Sequence, residues 1–401
     1  MSFSWENDGT MNSNIMPTYN RKPVTFVRGD GVYLYDDKGN KYLDALCGLA
    51  VTSLGHSHPI ISRIIKDQSQ TLLHTSNAFI IEHQELLAKR LCQLTGMDNA
   101  FFCNSGAESV EAAIKIARKY GHERGYSNPK IVVMSNSFHG RTMGAMSATS
   151  NKNSHESFGP IIDGLIRVNF NNIDDIKNAI ISNSDIVAVL LEPIQGEGGI
   201  ISCDLSYLQE LDRLCKENDI LLMADEVQSG FCRTGKWFSY QHFNIIPDVV
   251  MVAKALGNGV PVGACLARGE AANILKAGMH GSTFGGNYLS TAVGLSVLKI
   301  MRDSQICVHV NHISDAMKKA TDAELKSLNV ISEIRIYGMM IGIELKSNCT
   351  ELVVKALEKG LVLNVTKEKV IRLLPPLICK EEHILKIVAI IKQIITENYE
   401  N

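Results

Sequence analysis

The chain has 401 residues, room for two to three domains of ordinary size, and is 45% apolar and 20% charged. That balance argues against both disorder and a membrane protein. Forty basic residues against 42 acidic ones leave a net charge of −2, so there is no electrostatic footprint for nucleic acid or an anionic membrane. A small molecule or a second copy of the chain is the expected partner.

The first 14 residues carry acids and amides where a secretory signal needs a basic start and an apolar run, which predicts an untargeted, cytoplasmic protein. Turn signals RGDG at 28–31 and DDKGN at 36–40 predict hairpin strands, and residues 1–48 are expected to pack on a smaller domain. Short aliphatic runs at 100–103, 131–134, 186–191, 220–223, 249–252 and 262–267 then alternate with helical patterns such as 109–121 and 207–217. This is the signature of βαβ units and a mainly parallel sheet, so 49–297 reads as one large α/β domain. No apolar run approaches the roughly 20 residues that cross a bilayer. From about residue 292 the texture changes to a long helical pattern through His312 and Leu325, short strands around Ile334 and Ile341, then helices to the end. Residues 298–401 therefore read as a smaller α+β domain.

Three successive buried strands end in ionisable residues: VAVLL runs into Glu192, ILLMA into Asp225 and VVMVA into Lys254. Singly they could be a turn before Pro193, a helix cap and a snorkelling lysine. Together they point to a site, because ligands of open α/β sheets bind beyond the carboxyl ends of the strands. A desolvated lysine loses its charge readily and becomes a nucleophile able to form a Schiff base. An aspartate in the same pocket suits pyridoxal 5′-phosphate, whose ring nitrogen it can keep protonated. Residues 104–108, Asn-Ser-Gly-Ala-Glu, join a strand to a helix start, where free N–H groups favour an anion; Ser105 and Glu108 also fit a plain capping box. Phe138-His139-Gly140-Arg141 offers an aromatic to stack on a planar cofactor and a guanidinium to grip a carboxylate.

Other patterns carry less. The glycine turn at 257–263 fails the dinucleotide spacing and contains Pro261. His56 and His58 have no third ligand at a matching spacing, so no metal is expected. The ten cysteines, no two closer than 11 positions, read as reduced thiols.

The segments LGHSHP (54–59), HTSN (74–77), NSGAE (104–108), FHGR (138–141), EPIQGEGG (192–199), DEVQ (225–228), AKALGNGVPVG (253–263), GSTFGGN (281–287) and IRLLPPL (371–377) together resemble one family, the class III (ornithine-type) aminotransferases of fold type I. The likeness runs from about Tyr19 to Leu377. It implies an α/β fold, a large mainly parallel sheet domain with a smaller α+β domain, and pyridoxal 5′-phosphate as cofactor. Lys254 would carry the cofactor and move the proton, and Asp225 would bind its ring nitrogen. Ser105, Gly106 and Ala107 would hold the phosphate, Phe138 and Val227 the ring faces, with His139 and Gln228 beside the ring. Ser282 and Thr283 would reach the phosphate of a neighbouring subunit, which implies a homodimer with a shared site.

For substrates, the resemblance implies that Arg372 takes the α-carboxylate of glutamate or 2-oxoglutarate, with Arg141 on the distal one. Glu197 would pair with Arg372 when an ω-amine donor binds, and Tyr19 would approach the donor's α-substituents. Leu49, where ornithine aminotransferases resemble one another in carrying a tyrosine, favours an acylated donor. N-acetylornithine is thus the expected donor, in arginine biosynthesis, with ornithine, N-succinyl-diaminopimelate, succinylornithine and 4-aminobutyrate as alternatives.

Overall fold

The computed structural model describes residues 14–399; the N-terminal reading of an untargeted start falls mostly on residues outside this range. Three strands come first, β1 (Phe26–Asp30), β2 (Tyr33–Asp36) and β3 (Lys41–Asp44). Gly31 and Gly39 take positive φ of 55° and 83° in the connecting turns, a conformation that glycine adopts without steric cost.

The middle of the chain supplies β4 (Asn99–Cys103), β5 (Lys130–Met134), β6 (Leu165–Val168), β7 (Ile186–Leu191), the two-residue strands β8 (Ile194–Gln195) and β9 (Ile201–Ser202), then β10 (Leu221–Asp225), β11 (Val249–Val252) and β12 (Gly263–Ala267). All but β8 and β9 form one sheet in the order β4-β12-β11-β10-β7-β5-β6. Strands β6, β5, β7, β10 and β11 are parallel, and β12 runs antiparallel to both neighbours. Burial on both faces explains the unbroken aliphatic runs. In β10, Leu221 and Met223 enter one hydrophobic cluster while Leu222 and Ala224 enter the other. The edge strand β6, LIRV with Arg167 at its centre, lacked the aliphatic run by which the others were legible.

The C-terminal part holds helices Tyr288–Asp303 and Ile306–Glu324, β13 (Ile331–Tyr337), β14 (Met340–Leu345), helix Leu352–Glu358, β15 (Leu361–Val362), β16 (Asn364–Thr366), β17 (Val370–Leu373) and helix Glu381–Tyr399. Two expectations are corrected here. The long helical pattern is broken at Gln305, which takes a left-handed φ of 49°. The stretch expected as helix to the end contains three strands, too short for a period to register; their hairpin turns on Lys367 and Glu368 at φ 51° and 60° rather than on the usual Asn or Gly. Strands β13-β14-β17-β16 form an antiparallel sheet, and β15 joins β1-β2-β3 by pairing parallel with β3. Among the described residues no helix is long and apolar enough to cross a membrane.

Candidate active site

Because β7, β10 and β11 are parallel neighbours, their carboxyl ends meet at one edge. Glu192, Asp225 and Lys254 all line a cavity of about 450 Å³ at that edge. The same wall includes Ser105, Gly106, Ala107, Phe138, His139, Arg141, Val227 and Gln228.

Helix Gly106–Glu123 starts at the cavity, capped by Ser105 Oγ, which accepts from Glu108 N at 3.2 Å. The Glu108 carboxylate turns back to Asn104 N at 2.5 Å and Asn104 Nδ2 at 3.0 Å. The capping and anion-binding readings therefore coexist: the cap occupies Glu108 N, and the Gly106 and Ala107 N–H groups keep no protein partner among the described residues. A Cβ at Gly106 would come within 2.7 Å of Val227 Cγ1, so a glycine lets this corner close on the DEVQ segment.

Asp225, 4% exposed, accepts from Val227 N at 3.1 Å and lies 2.8 Å from His139 Nδ1. His139 Nε2 is buried without a hydrogen-bond partner among the described residues. Next to Asp225, Glu226 is fully buried and held by Ser229, Ser239 and the Tyr240 N–H, which anchors the segment from behind. The carboxyl of Glu192 accepts from Phe138 N at 2.9 Å and Gly196 N at 3.0 Å. Burial pushes its pKa from 4.5 up to about 7, with His139 opposing and Asp225 adding to the rise.

Lys254 holds a left-handed φ of 47°, a conformation that costs a non-glycine residue on the order of 1 kcal/mol and tends to mark functional positions. Burial, and then the nearby charge of Arg372, push the Lys254 amine below its usual range, while Glu197, Asp225 and Glu192 oppose the shift. The direction favours a neutral, nucleophilic amine.

The two arginines differ. Arg141 is exposed at the cavity, with its guanidinium 4.6 Å from the Phe138 ring centre and no carboxylate partner among the described residues. Arg372 is 1% exposed and bonded through Nη1 to Glu197 Oε1 at 2.6 Å, with Gln228 Oε1 at 3.5 Å and Asn364 Oδ1 3.0 Å from Nε. Arg372 and Glu197 do not line the cavity itself, but their charges act on Lys254 from beside it.

Three more predicted residues do not line the cavity. Tyr19 is 78% exposed on the surface. Ser282 bonds through Oγ to Asn104 Nδ2 of its own chain at 3.2 Å, and Thr283 is exposed beside it. Two residues to which no role was assigned from the sequence also bear on the site, Asn258 and Asn364. Asn258, left-handed at φ 44°, accepts from Leu54 N at 2.7 Å and donates to Gly55 O at 3.1 Å. It tethers the LGHSHP segment to the loop after Lys254; its place between Gly257 and Gly259 was the available signal. His56 Nε2 sits 2.8 Å from Asp44 Oδ2, a structural contact. No group of three or more His, Cys, Asp or Glu that could hold a metal occurs among the described residues.

A planar, phosphate-bearing group suits these residues: free helix-start N–H groups, a buried carboxylate with its histidine, and an amine of lowered pKa share one wall. Known proteins agree. The pattern of the family "Aminotransferase class-III" matches residues 15–395. The acetylornithine aminotransferase of Nitrosomonas europaea is 48% identical over 96% of this chain and 98% of its own, and that of Aquifex aeolicus 44% identical over 95% and 99%. Among solved structures, the ornithine aminotransferase of Toxoplasma gondii, with pyridoxal phosphate at its active site, superposes with a TM-score of 0.91 at 30% identity, covering 95% of this chain and 92% of its own. The acetylornithine aminotransferase of Elizabethkingia anophelis gives 0.85 at 32% identity, covering 95% and 96%. The chain belongs to the class-III aminotransferases, enzymes dependent on pyridoxal phosphate.

Proposed function

We propose that this aminotransferase moves the ω-amino group of N-acetylornithine to 2-oxoglutarate, giving N-acetylglutamate 5-semialdehyde and glutamate. The observation that carries the reading is the unequal pair of arginines: Arg141 open to a carboxylate, and Arg372 buried and already paired with Glu197. A donor with one carboxylate and a bare ω-amine would occupy Arg141 and pass methylenes along the neutralised Arg372. A dicarboxylate would displace Glu197 and use both guanidiniums. The acylated donor is supported by relatives 44–48% identical that are named acetylornithine aminotransferases.

Bound pyridoxal phosphate supplies an electron sink for the amino acid's reacting carbon. In this reading the Ser105 hydroxyl and the Gly106 and Ala107 N–H groups bind phosphate, and Phe138 and Val227 hold the ring. Asp225 keeps the proton on the ring nitrogen, and His139, donating from Nδ1, orients its carboxylate. Gln228 sits beside the ring hydroxyl. Lys254 Nζ would take the proton from the substrate carbon and pass it to the cofactor's carbon.

The segments around Asn77 and Ser282 are joined by Asn77 Nδ2, which donates to Ser282 O at 2.9 Å and Gly285 O at 3.0 Å. They expose Phe79, Ile80 and Phe284, an apolar face suited to a second copy, which would bring Ser282 and Thr283 to the partner's phosphate. Tyr19 would reach the donor in that assembly. All ten cysteines are free, which supports the cytoplasm as compartment. The test is direct: purified protein loaded with pyridoxal phosphate should form glutamate from 2-oxoglutarate only when N-acetylornithine is present, with the donor's ¹⁵N in the product. Glutamate without donor ¹⁵N contradicts the reading.

A further inference from the structure

The Arg372 guanidinium has two kinds of partner, and both are organised by one three-residue strand. In the β16–β17 pair Asn364 stands opposite Arg372, and directly opposed residues are side-chain neighbours. Asn364 Oδ1 accepts from Arg372 Nε at 3.0 Å. Two residues on, Thr366 Oγ1 donates to the backbone O of Glu197 at 2.6 Å. From β13, Arg335 holds Gly199 O through Nε at 3.1 Å and Nη2 at 2.8 Å. The backbone carrying Glu197 is thereby pinned, while its side chain is 34% exposed against 1% for that of Arg372. Of the pair, the Glu197 carboxylate is the part free to swing.

The acceptors that remain on Arg372, Asn364 at 3.0 Å and Gln228 at 3.5 Å, are uncharged amides. An acid at 364 would keep the guanidinium neutralised whatever Glu197 did, and an incoming carboxylate would meet no net charge. A residue without an acceptor would leave Nε unpaired and the guanidinium free to turn once Glu197 departs.

We infer that Asn364 is a positioning residue for acceptor specificity: it aims Arg372 through a neutral contact, so that the charge stays available to the carboxylate of a dicarboxylate acceptor when Glu197 releases it. Thr366 serves the same exchange by fixing the backbone from which Glu197 swings. The inference rests on the proposed use of 2-oxoglutarate and adds the residues that set its affinity.

The test compares Asn364→Asp and Asn364→Ala in the cofactor-loaded enzyme. For each, KM is measured for 2-oxoglutarate and for N-acetylornithine, and glutarate, a dicarboxylate that cannot react, is titrated calorimetrically. Asn364→Asp should raise the KM for 2-oxoglutarate and the Kd for glutarate at least tenfold, and the ratio of the two KM values should move by a similar factor. Asn364→Ala should have the smaller effect. A merely structural acceptor predicts the reverse order, since aspartate keeps the acceptor oxygen and alanine removes it. Unchanged glutarate binding in Asn364→Asp, a parallel rise in both KM values, or alanine proving the more harmful would overturn the inference while wild-type turnover upheld the function. Wild-type enzyme that makes no glutamate and binds no glutarate would overturn both.

Discussion

Asp225 Oδ2 lies 2.8 Å from His139 Nδ1, with both side chains sealed from solvent. The contact ties the end of β10 to the loop after β5 and leaves the carboxylate no freedom to turn. Asp225→Asn keeps the shape and removes the charge that would hold a proton on the cofactor ring. We expect kcat to fall by about 10²–10⁴-fold, the range of a lost proton-transfer partner, with the melting temperature within a few degrees of wild type. His139→Phe, which frees the carboxylate without removing it, should cost less than Asp225→Asn. Steady-state rates of both variants check the order, and equal activity of Asp225→Asn and wild type would contradict it.

The sequence made this much legible because its cause is local. Strands buried on both faces read as unbroken aliphatic runs, so the points where β7, β10 and β11 give way to Glu192, Asp225 and Lys254 stood out. What decided the rest was non-local. Asn364 lies in a strand of three residues, too short for any periodicity. Its partner on β17 is reached through a turn of Lys367 and Glu368, which looks like ordinary solvated charge. Asn258 meets Leu54 and Gly55 across two hundred residues, a contact no motif announces.

Glu192 gives the stability a pH dependence. Its carboxyl titrates at about 7 in the folded chain against a usual 4.5, so between these values the folded protein holds a proton that the unfolded chain has released. Stability from this group is therefore full below about pH 4.5 and lost as the pH rises through about 7, by up to roughly 3 kcal/mol. Glu192→Gln removes the titration. Urea unfolding at about pH 5 and pH 8 should show the smaller decline in the variant; equal declines would count against this role.

Burial and then Arg372 depress the Lys254 amine, and three carboxylates oppose them. In Arg372→Met the burial remains but the guanidinium's share is lost, so the amine should titrate at higher pH and react more slowly near neutrality. Acylation of Lys254 in cofactor-free protein, followed by peptide mass spectrometry across a pH series, reads the shift. A profile moved to lower pH would reverse the assigned sign.

Gly106→Ala would place a Cβ 2.7 Å and 2.9 Å from the two methyl carbons of Val227. Alanine favours the helix by up to about 1 kcal/mol over glycine, so the fold should hold while Val227 is displaced. Fluorescence titration should show cofactor affinity weakened about tenfold, or ~1.4 kcal/mol. Unchanged affinity would remove Gly106 from the phosphate corner.

The choice of donor is read from the visible absorbance of the bound cofactor. Cofactor-loaded enzyme is titrated with N-acetylornithine, ornithine and 4-aminobutyrate in the absence of 2-oxoglutarate. The visible band should be lost at the lowest concentration with N-acetylornithine and return on adding 2-oxoglutarate. A band that another of these amines removes at lower concentration, or that none removes, would contradict that choice of donor.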